Sequence, residues 1–231
     1  MVSVGDVKKI ILESLEMSKP QKEELHEAYV TVPKEFDLAT QLLSRHTKEA
    51  HEKLYMGYVE KLNRISVELD SVDRSGADSK VSAYRSLKTA EIFNRNSVHL
   101  HELYFAKISD TQSEISFDSL CFMKFSQDFG TFDDWQWDFI ACAMASRNGW
   151  AVTAYDTFLR RYINFVIDGD DCGIPVGCYP IVVMDVWEHS FFRDYGADKQ
   201  QYVSSMMREL NWEVIERRVE RAEMIGKALK A

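Results

Sequence analysis

The part of the sequence that most directly suggests chemistry is a carboxylate followed by an imidazole at the end of an apolar run. In YPIVVMDVWEHSFF, Asp185 ends a segment rich in β-branched residues, and His189 follows four residues later. If the chain passes there from a strand into the start of a helix, both side chains can face the same space. Redox-active transition metals accept both kinds of ligand. The Asp-x-x-x-His spacing is common, however, so by itself it indicates a metal site only weakly.

A second candidate group lies in the N-terminal half, where a predicted helix carries histidine and tyrosine. His51, Tyr55 and Tyr58 are spaced i, i+4 and i+7, so they form one stripe on a helix. His46 lies five residues before His51 and is rotated off that stripe, which suits an exposed or capping residue. The chain contains six histidines, and spacing alone does not decide which of them share a site with Asp185.

The elements that must position these residues begin with two long helices. Apolar residues recur at helical spacing over residues 42–69 and again over 84–105, and Ser44 is the expected N-cap of the first helix. The segment between the helices is rich in Asp, Ser and Gly, which predicts a reversal of the chain. We therefore expect a helical hairpin domain over residues 36–110, preceded by a helical extension over residues 1–35.

The rest of the chain, residues 111–231, changes character. After two further helical segments come three runs rich in β-branched and aromatic residues, namely GWAVTAYDTF, RYINFVID and YPIVVMDVW. The first two predict an antiparallel hairpin, and the third predicts a buried strand. The predicted fold class is α+β, with an N-terminal antiparallel helical hairpin and a C-terminal α/β unit built on a small three-stranded antiparallel sheet.

Composition argues against several classes of protein. With 28 Lys and Arg against 37 Asp and Glu, the net charge is −9, so a nucleic-acid partner has no basic patch to bind. No run approaches the roughly 20 apolar residues of a membrane span, and the N-terminal residues lack a signal-peptide pattern. We therefore expect a cytoplasmic protein with no membrane partner. The four cysteines contain no C-x-x-C pair and are expected to be reduced packing residues.

Longer strings extend these observations beyond single residues. They are LSRHTKEAH (residues 43–51), FNRNSVHLHELYF (93–105), SRNGWAV (146–152), DVWEHSFF (185–192) and YVSSMMRELNW (202–212). In content and order they resemble the iron/manganese superoxide dismutase family, whose C-terminal signature is D-x-W-E-H-A-Y-Y and whose first ligand helix begins L-S-x-x-T-x-x-x-H. One departure is Leu100, which replaces the family's usual Asn before the ligand histidine.

The resemblance implies a function and a set of ligands. Members of this family convert superoxide to O₂ and hydrogen peroxide at one iron or manganese ion, so superoxide is the expected substrate and one Fe or Mn per chain the expected cofactor. The residues that fall on the family's ligand positions are His51, His101, Asp185 and His189.

The resemblance also implies roles for the surrounding residues. Trp150 and Trp187 would form walls of the pocket, and Tyr58 or Tyr55 would supply the hydroxyl at its opening. Glu188 would reach across the interface of a homodimer to the partner's ligand histidine. A homodimer is therefore expected.

Two positions depart from the family pattern. Where members place a Gln or His beside metal-bound solvent, this chain has Ser97 and Asp170, and a carboxylate at this catalytic position would stabilise the oxidised metal and slow cycling. Phe191 stands where an interface tyrosine is usual. An alternative function is therefore a dismutase-fold structural or assembly protein with reduced or lost activity. Retention of all four ligand-type residues favours the enzyme. A site that no longer bound metal would leave these buried polar groups unpaired, which costs stability.

Overall fold

The computed structural model describes residues 28–108 and 113–229. The helix that the sequence predicts before residue 28 lies outside the described residues. None of the described helices is both long enough and apolar enough to cross a membrane. The elements in chain order are α1 (Arg45–Ser71), α2 (Ala83–Lys107), α3 (Leu120–Phe129), α4 (Phe132–Ala145), β1 (Trp150–Asp156), β2 (Arg161–Ile167), β3 (Cys178–Asp185), α5 (Glu188–Tyr195), α6 (Lys199–Met206) and α7 (Trp212–Ala228).

The predicted helical hairpin is present as α1 and α2, which pack along each other. Ser44 is the N-cap of α1, and its side chain accepts a hydrogen bond from the Thr47 amide, as the sequence predicts. Ser82 caps α2 in the same way through the Arg85 amide. The buried residues of α1 recur every three or four positions, so one stripe of the helix faces the interior. His51 lies on that stripe.

The predicted sheet is also present, with strand order β2-β1-β3 and both pairs antiparallel. The central strand β1 is buried along its whole length, which explains its apolar and β-branched composition. In the register of the sheet, Trp150 lies opposite Ile167 on one side and Asp185 on the other. This pairing fixes a tryptophan beside the carboxylate that ends β3, and the α+β fold class is confirmed.

Helices cover the two faces of this sheet. On one side α4 packs on β1 and β2, and the Trp135 Nε1 donates a hydrogen bond to the Thr153 hydroxyl at 2.9 Å. On the other side α2 and α7 pack on β3. The buried Arg218 guanidinium joins them, because it donates to the carbonyl oxygens of Ile181 and Leu103 at 2.8 Å each.

The four cysteines are free thiols. The predicted domain boundary near residue 110 stays a prediction.

One charged side chain lies inside the core. Lys107, the last residue of α2, is fully buried, and its Nζ has no hydrogen-bond partner among the described residues. The Nζ lies 5.1 Å from the centre of the Tyr104 ring. Burial, together with the positive charge of Arg218, lowers the pKa of Lys107 to about 7. The core therefore favours the neutral amine.

Candidate metal centre

The four predicted ligand residues reach one point from four different elements. His51 lies on the buried stripe of α1 and His101 on the buried side of α2, so the hairpin brings the two imidazoles together. Asp185 is the last residue of β3, and His189 is the second residue of α5. The chain thus passes from strand to helix where the sequence predicts it, and this corner faces the helical histidines.

The ligand-type atoms of these four residues lie within 4.8 Å of one another. His51 Nε2 and His189 Nε2 lie 3.1 Å and 3.2 Å from Asp185 Oδ2. His101 Nε2 lies 3.8 Å from the same oxygen. Three nitrogen donors and one carboxylate oxygen form a set that suits a transition metal such as iron or manganese.

The His101 imidazole shows that this set fits a cation. Its Nδ1 lies 2.6 Å from the Ser97 carbonyl oxygen, which can only accept, so Nδ1 carries the proton. The lone pair is therefore on Nε2, which is buried and has no hydrogen-bond partner among the described residues. An unpaired buried acceptor costs roughly 1–3 kcal/mol. A metal ion among the four residues would satisfy it, since a second-shell carbonyl commonly orients a ligand histidine in this way.

The charges of the cluster also match a cation. Burial lowers the pKa of His51, and burial together with the neighbouring His51 lowers the pKa of His101 to about 3, so both imidazoles are neutral. Burial acts to raise the pKa of Asp185, but the His189 charge and hydrogen bonds from His189 and His51 hold it below its usual range. Burial acts to lower the pKa of His189, but the Asp185 charge and hydrogen bond raise it, so without a metal this imidazole carries the positive charge opposite the ionised carboxylate.

Asp185 is held in place by groups around it. The Trp187 amide donates to Asp185 Oδ1 at 2.8 Å, which leaves Oδ2 directed at the three imidazoles. The Tyr202 hydroxyl donates to the Asp185 carbonyl oxygen at 2.7 Å, and the Ser190 hydroxyl donates to the same oxygen. Nothing in the residue types alone assigns Tyr202 this role; its signal is its position in the YVSSMMRELNW string. These bonds fix the strand-to-helix corner.

The structure distinguishes the two candidate tyrosines. The buried Tyr55 hydroxyl donates to Glu102 Oε1 and accepts from the Lys34 amide, both at 3.0 Å, so it points away from the cluster. The Tyr58 ring lies 5.4 Å from the His101 ring and is half-buried. Burial and the charges of Asp170 and Asp185 raise the pKa of Tyr58 to about 12. The Tyr55 hydroxyl is therefore engaged away from the cluster, and Tyr58 stays the candidate for the hydroxyl at the pocket opening.

Asp170 lies close to the cluster, beside Ser97 and Trp150. It is buried, its Oδ1 accepts from Trp150 Nε1 at 2.7 Å, and its Oδ2 accepts from the Ser97 hydroxyl. The Asn96 side-chain amide donates to the Asp170 carbonyl oxygen at 2.6 Å. Burial raises the pKa of Asp170 although the bonds from Ser97 and Trp150 act against it. Ser97 thus links Asp170 to His101 through its own hydroxyl and carbonyl.

Both predicted wall residues contact ligand imidazoles. The Trp150 ring meets the His101 ring edge-on at 4.9 Å, and the Trp187 ring stacks on the His189 ring at 6.0 Å. The His51 and His101 side chains are 2% and 1% exposed, whereas the His189 side chain is 30% exposed. His189 is therefore the ligand-type histidine through which solvent reaches the cluster.

Two neighbouring phenylalanines on α5 differ in exposure at this opening. Phe191 is 5% exposed and stacks on Tyr202 at 5.1 Å, so it packs against the interior of the chain, and its predicted place at an interface stays a prediction. The next residue, Phe192, is 56% exposed, because one position on a helix rotates the side chain by about 100°. Glu188, at the start of the same helix, is exposed, and its predicted contact across a dimer interface stays a prediction.

Comparison with known proteins agrees with this geometry. Residues 121–218 match the family model described as iron/manganese superoxide dismutases, C-terminal domain. The chain is 35% identical over 185 residues to a protein of Aquifex pyrophilus named superoxide dismutase [Fe], and the match covers 79% of this chain and 84% of the relative. It is 30% identical over 198 residues to superoxide dismutase [Mn] 2 of Haloferax volcanii, with 83% and 94% covered.

A third relative is superoxide dismutase [Fe] of Cupriavidus metallidurans, which is 32% identical over 165 residues, covering 71% of this chain and 81% of the relative. These relatives are named for either metal, so the likeness identifies the family without selecting iron or manganese. The fold, the four converging ligand-type residues and relatives matched over most of their length agree. This chain belongs to the iron/manganese superoxide dismutase family.

Proposed function

We propose that this chain is a superoxide dismutase, which converts superoxide to O₂ and hydrogen peroxide at one iron or manganese ion. His51, His101, Asp185 and His189 would hold the ion. The observation that carries the proposal is the buried, unpartnered His101 Nε2, which faces the Asp185 carboxylate within the four-residue cluster. When bound, the ion supplies one-electron exchange with superoxide, a capacity that zinc lacks.

The surrounding side chains would then control access and protons. Trp150 and Trp187 lie against ligand rings and would exclude bulk water from the centre. Tyr58 keeps its proton at neutral pH, because its pKa is raised to about 12, so its hydroxyl can donate a hydrogen bond to a small anion that arrives at the opening. Its half-buried position beside His101 supports this role.

Asp170 would act as a positioning residue that also adjusts the rate. Its carboxylate holds the Trp150 indole and the Ser97 hydroxyl, and Ser97 in turn holds His101. Negative charge at this position favours the oxidised form of a nearby ion. We therefore expect turnover that is slower than a neutral residue at position 170 would allow.

A homodimer would complete the site. The His189 side chain is the exposed member of the cluster, and both Glu188 and Phe192 lie on the surface of the same helix. We propose that a second copy covers this helix, with Glu188 placed to contact the partner. Sedimentation-equilibrium measurements should give a dimer for the wild type and a shift toward monomer for Phe192→Asp. A wild type that sediments as a monomer would contradict this proposal.

The cytoplasmic location stays a prediction.

The experiment that tests the function combines metal analysis with superoxide consumption on the purified chain. The expected result is about one iron or manganese per chain and superoxide decay that scales with the amount of loaded protein. Stoichiometric metal without faster decay would instead support the alternative, a structural or assembly protein with the dismutase fold. No observation favours that alternative at present.

A further inference from the structure

An open cavity of about 640 Å³ lies between α2, one face of the sheet and α7. It is lined by residues of α2 other than His101, so it is separate from the metal centre. Its sheet side is apolar and includes Val152, Phe165 and Ile167. Sites for small organic ligands typically occupy about 300–1,000 Å³ and have mostly apolar linings with a few placed polar groups. The size and lining of this cavity fall in that class.

The cavity exists because the helices on this face cover β3 more than β2. Both α2 and α7 pack on β3, whereas Phe165 on β2 is left half-buried. Ile174, in the loop before β3, adds a 39% exposed apolar side chain at the rim. Contiguous exposed apolar surface on a folded protein marks a place where something binds.

The α7 edge of the cavity is strongly cationic. Arg217, Arg218 and Arg221 all line it, in a chain whose net charge is −9. Arg218 is buried and occupied by two backbone carbonyls. Arg217 and Arg221 are exposed and form neither an ion pair nor a hydrogen bond with any residue of 28–108 or 113–229. Like charges at i and i+4 on a helix repel each other, so an anion between them would relieve that repulsion.

No carboxylate of the described residues pairs with Arg217 or Arg221, and this includes Glu213 and Glu220 on the same helix. Glu102, which lines the cavity, accepts from the Lys34 ammonium and the Tyr55 hydroxyl. On α7 itself, Glu216 accepts from the Leu120 and Cys121 amides. Glu223 accepts from Tyr162 and pairs with Lys124 at 2.9 Å. The two exposed arginines therefore remain available to a ligand. Their charges also act on Arg218, because burial first and then the positive charges of Arg221 and Arg217 lower the pKa of Arg218 to about 10.

We propose that this cavity binds a small amphipathic carboxylate, with its apolar chain over Phe165 and Ile167 and its carboxylate at Arg217 and Arg221. A carboxylate suits the two guanidinium groups, which bind planar anions through charge-assisted hydrogen bonds. The apolar floor disfavours sugars and nucleotides, and the cationic edge disfavours amines. The cavity is bounded by elements on three sides, so a small molecule suits it better than a flat protein surface does.

The test uses the metal-loaded full chain and sodium decanoate, measured by titration calorimetry. We expect saturable binding of one decanoate per chain and no binding of decyltrimethylammonium, which has the same chain length and the opposite charge. The double variant Arg217→Gln/Arg221→Gln should bind decanoate at least about tenfold more weakly, because two charge-assisted contacts are lost. A matched control, Arg147→Gln/Arg208→Gln, makes the same change in net charge at exposed residues outside the cavity and should bind like the wild type.

A second variant tests the apolar part without touching α7. Ile174→Asp places a carboxylate at the exposed rim and should also weaken decanoate binding. The proposal is overturned if the wild type shows no saturable decanoate binding, or if Arg217→Gln/Arg221→Gln binds decanoate as tightly as the control double variant. Equal binding of decyltrimethylammonium and decanoate by the wild type would also overturn it, because the arginines would then play no part.

Discussion

The buried amine of Lys107 makes a quantitative prediction about stability and pH. Its pKa is lowered from 10.5 to about 7 in the folded chain, first by burial and then by the Arg218 charge. Between these two values the unfolded chain holds a proton that the folded chain has released, so stability rises with pH across this window. Below about pH 7 both states are protonated, and the cost of the buried charge is fully present.

The size of the effect follows from the two pKa values. Integrating the proton difference from pH 7 to pH 9 gives a gain of about 2 kcal/mol in the free energy of unfolding. Lys107→Met keeps the apolar stem of the side chain and removes the titration. The variant should therefore be more stable than the wild type at pH 7, and the difference between them should shrink by about 2 kcal/mol by pH 9.

Urea unfolding of metal-loaded protein, followed by tryptophan fluorescence at pH 7, 8 and 9, measures this difference directly. Lys53→Met is the matched control, because Lys53 is exposed on α1, and it should keep the pH profile of the wild type. If the stability difference between Lys107→Met and the wild type is the same at pH 7 and pH 9, the amine is not held neutral by the core and the reasoning is refuted.

Three further predictions concern the metal centre. His51→Ala should abolish metal retention in elemental analysis, whereas His46→Ala should retain it because His46 is exposed; loss of metal only in the second variant would mean that the wrong histidine was assigned. Tyr58→Phe should slow superoxide decay at unchanged stability, whereas Tyr55→Phe should cost about 1 kcal/mol in unfolding free energy at unchanged decay; the reverse pattern would contradict the assignment. Asp170→Asn should raise the reduction potential of the bound ion in a mediated titration, and an unchanged potential would argue against a charge effect.

The fold and the four ligand-type residues could be predicted because their signals are local or come as long strings. Periodicity and the Ser44 cap locate the first ligand helix, and the β-branched runs locate the strands. Asp185 and His189 lie on either side of a strand-to-helix boundary. The end of the strand pattern and the start of the helical pattern both mark this boundary in the sequence. His101 and His51 needed the family strings, since an isolated histidine on a helix has no distinguishing spacing.

The details that sequence did not resolve depend on contacts between distant residues. Tyr55 and Tyr58 share one stripe of α1 and are three residues apart. What separates them is Glu102 on α2, which takes the Tyr55 hydroxyl. Phe191 and Phe192 differ by one position, and a string match cannot tell which of the two faces the interior.

Other features had no sequence signal at all. The unpartnered Lys107 amine and the cavity beside α7 arise from how α2, α7 and the sheet pack, and a lysine at the end of a helix ordinarily reaches solvent. In the sequence, Ser97 stands out only because it occupies a position where the family places a Gln or His. In the fold its hydroxyl and carbonyl join Asp170 to His101.

The most direct test of the metal centre is anomalous X-ray scattering from crystals of the metal-loaded protein, collected at the iron and manganese absorption edges. The account predicts one strong peak per chain at one of the two edges, located between the imidazoles of His51, His101 and His189 and the Asp185 carboxylate. A peak elsewhere in the chain, or density at this point that leaves the His101 Nε2 without a bonded partner, would contradict it.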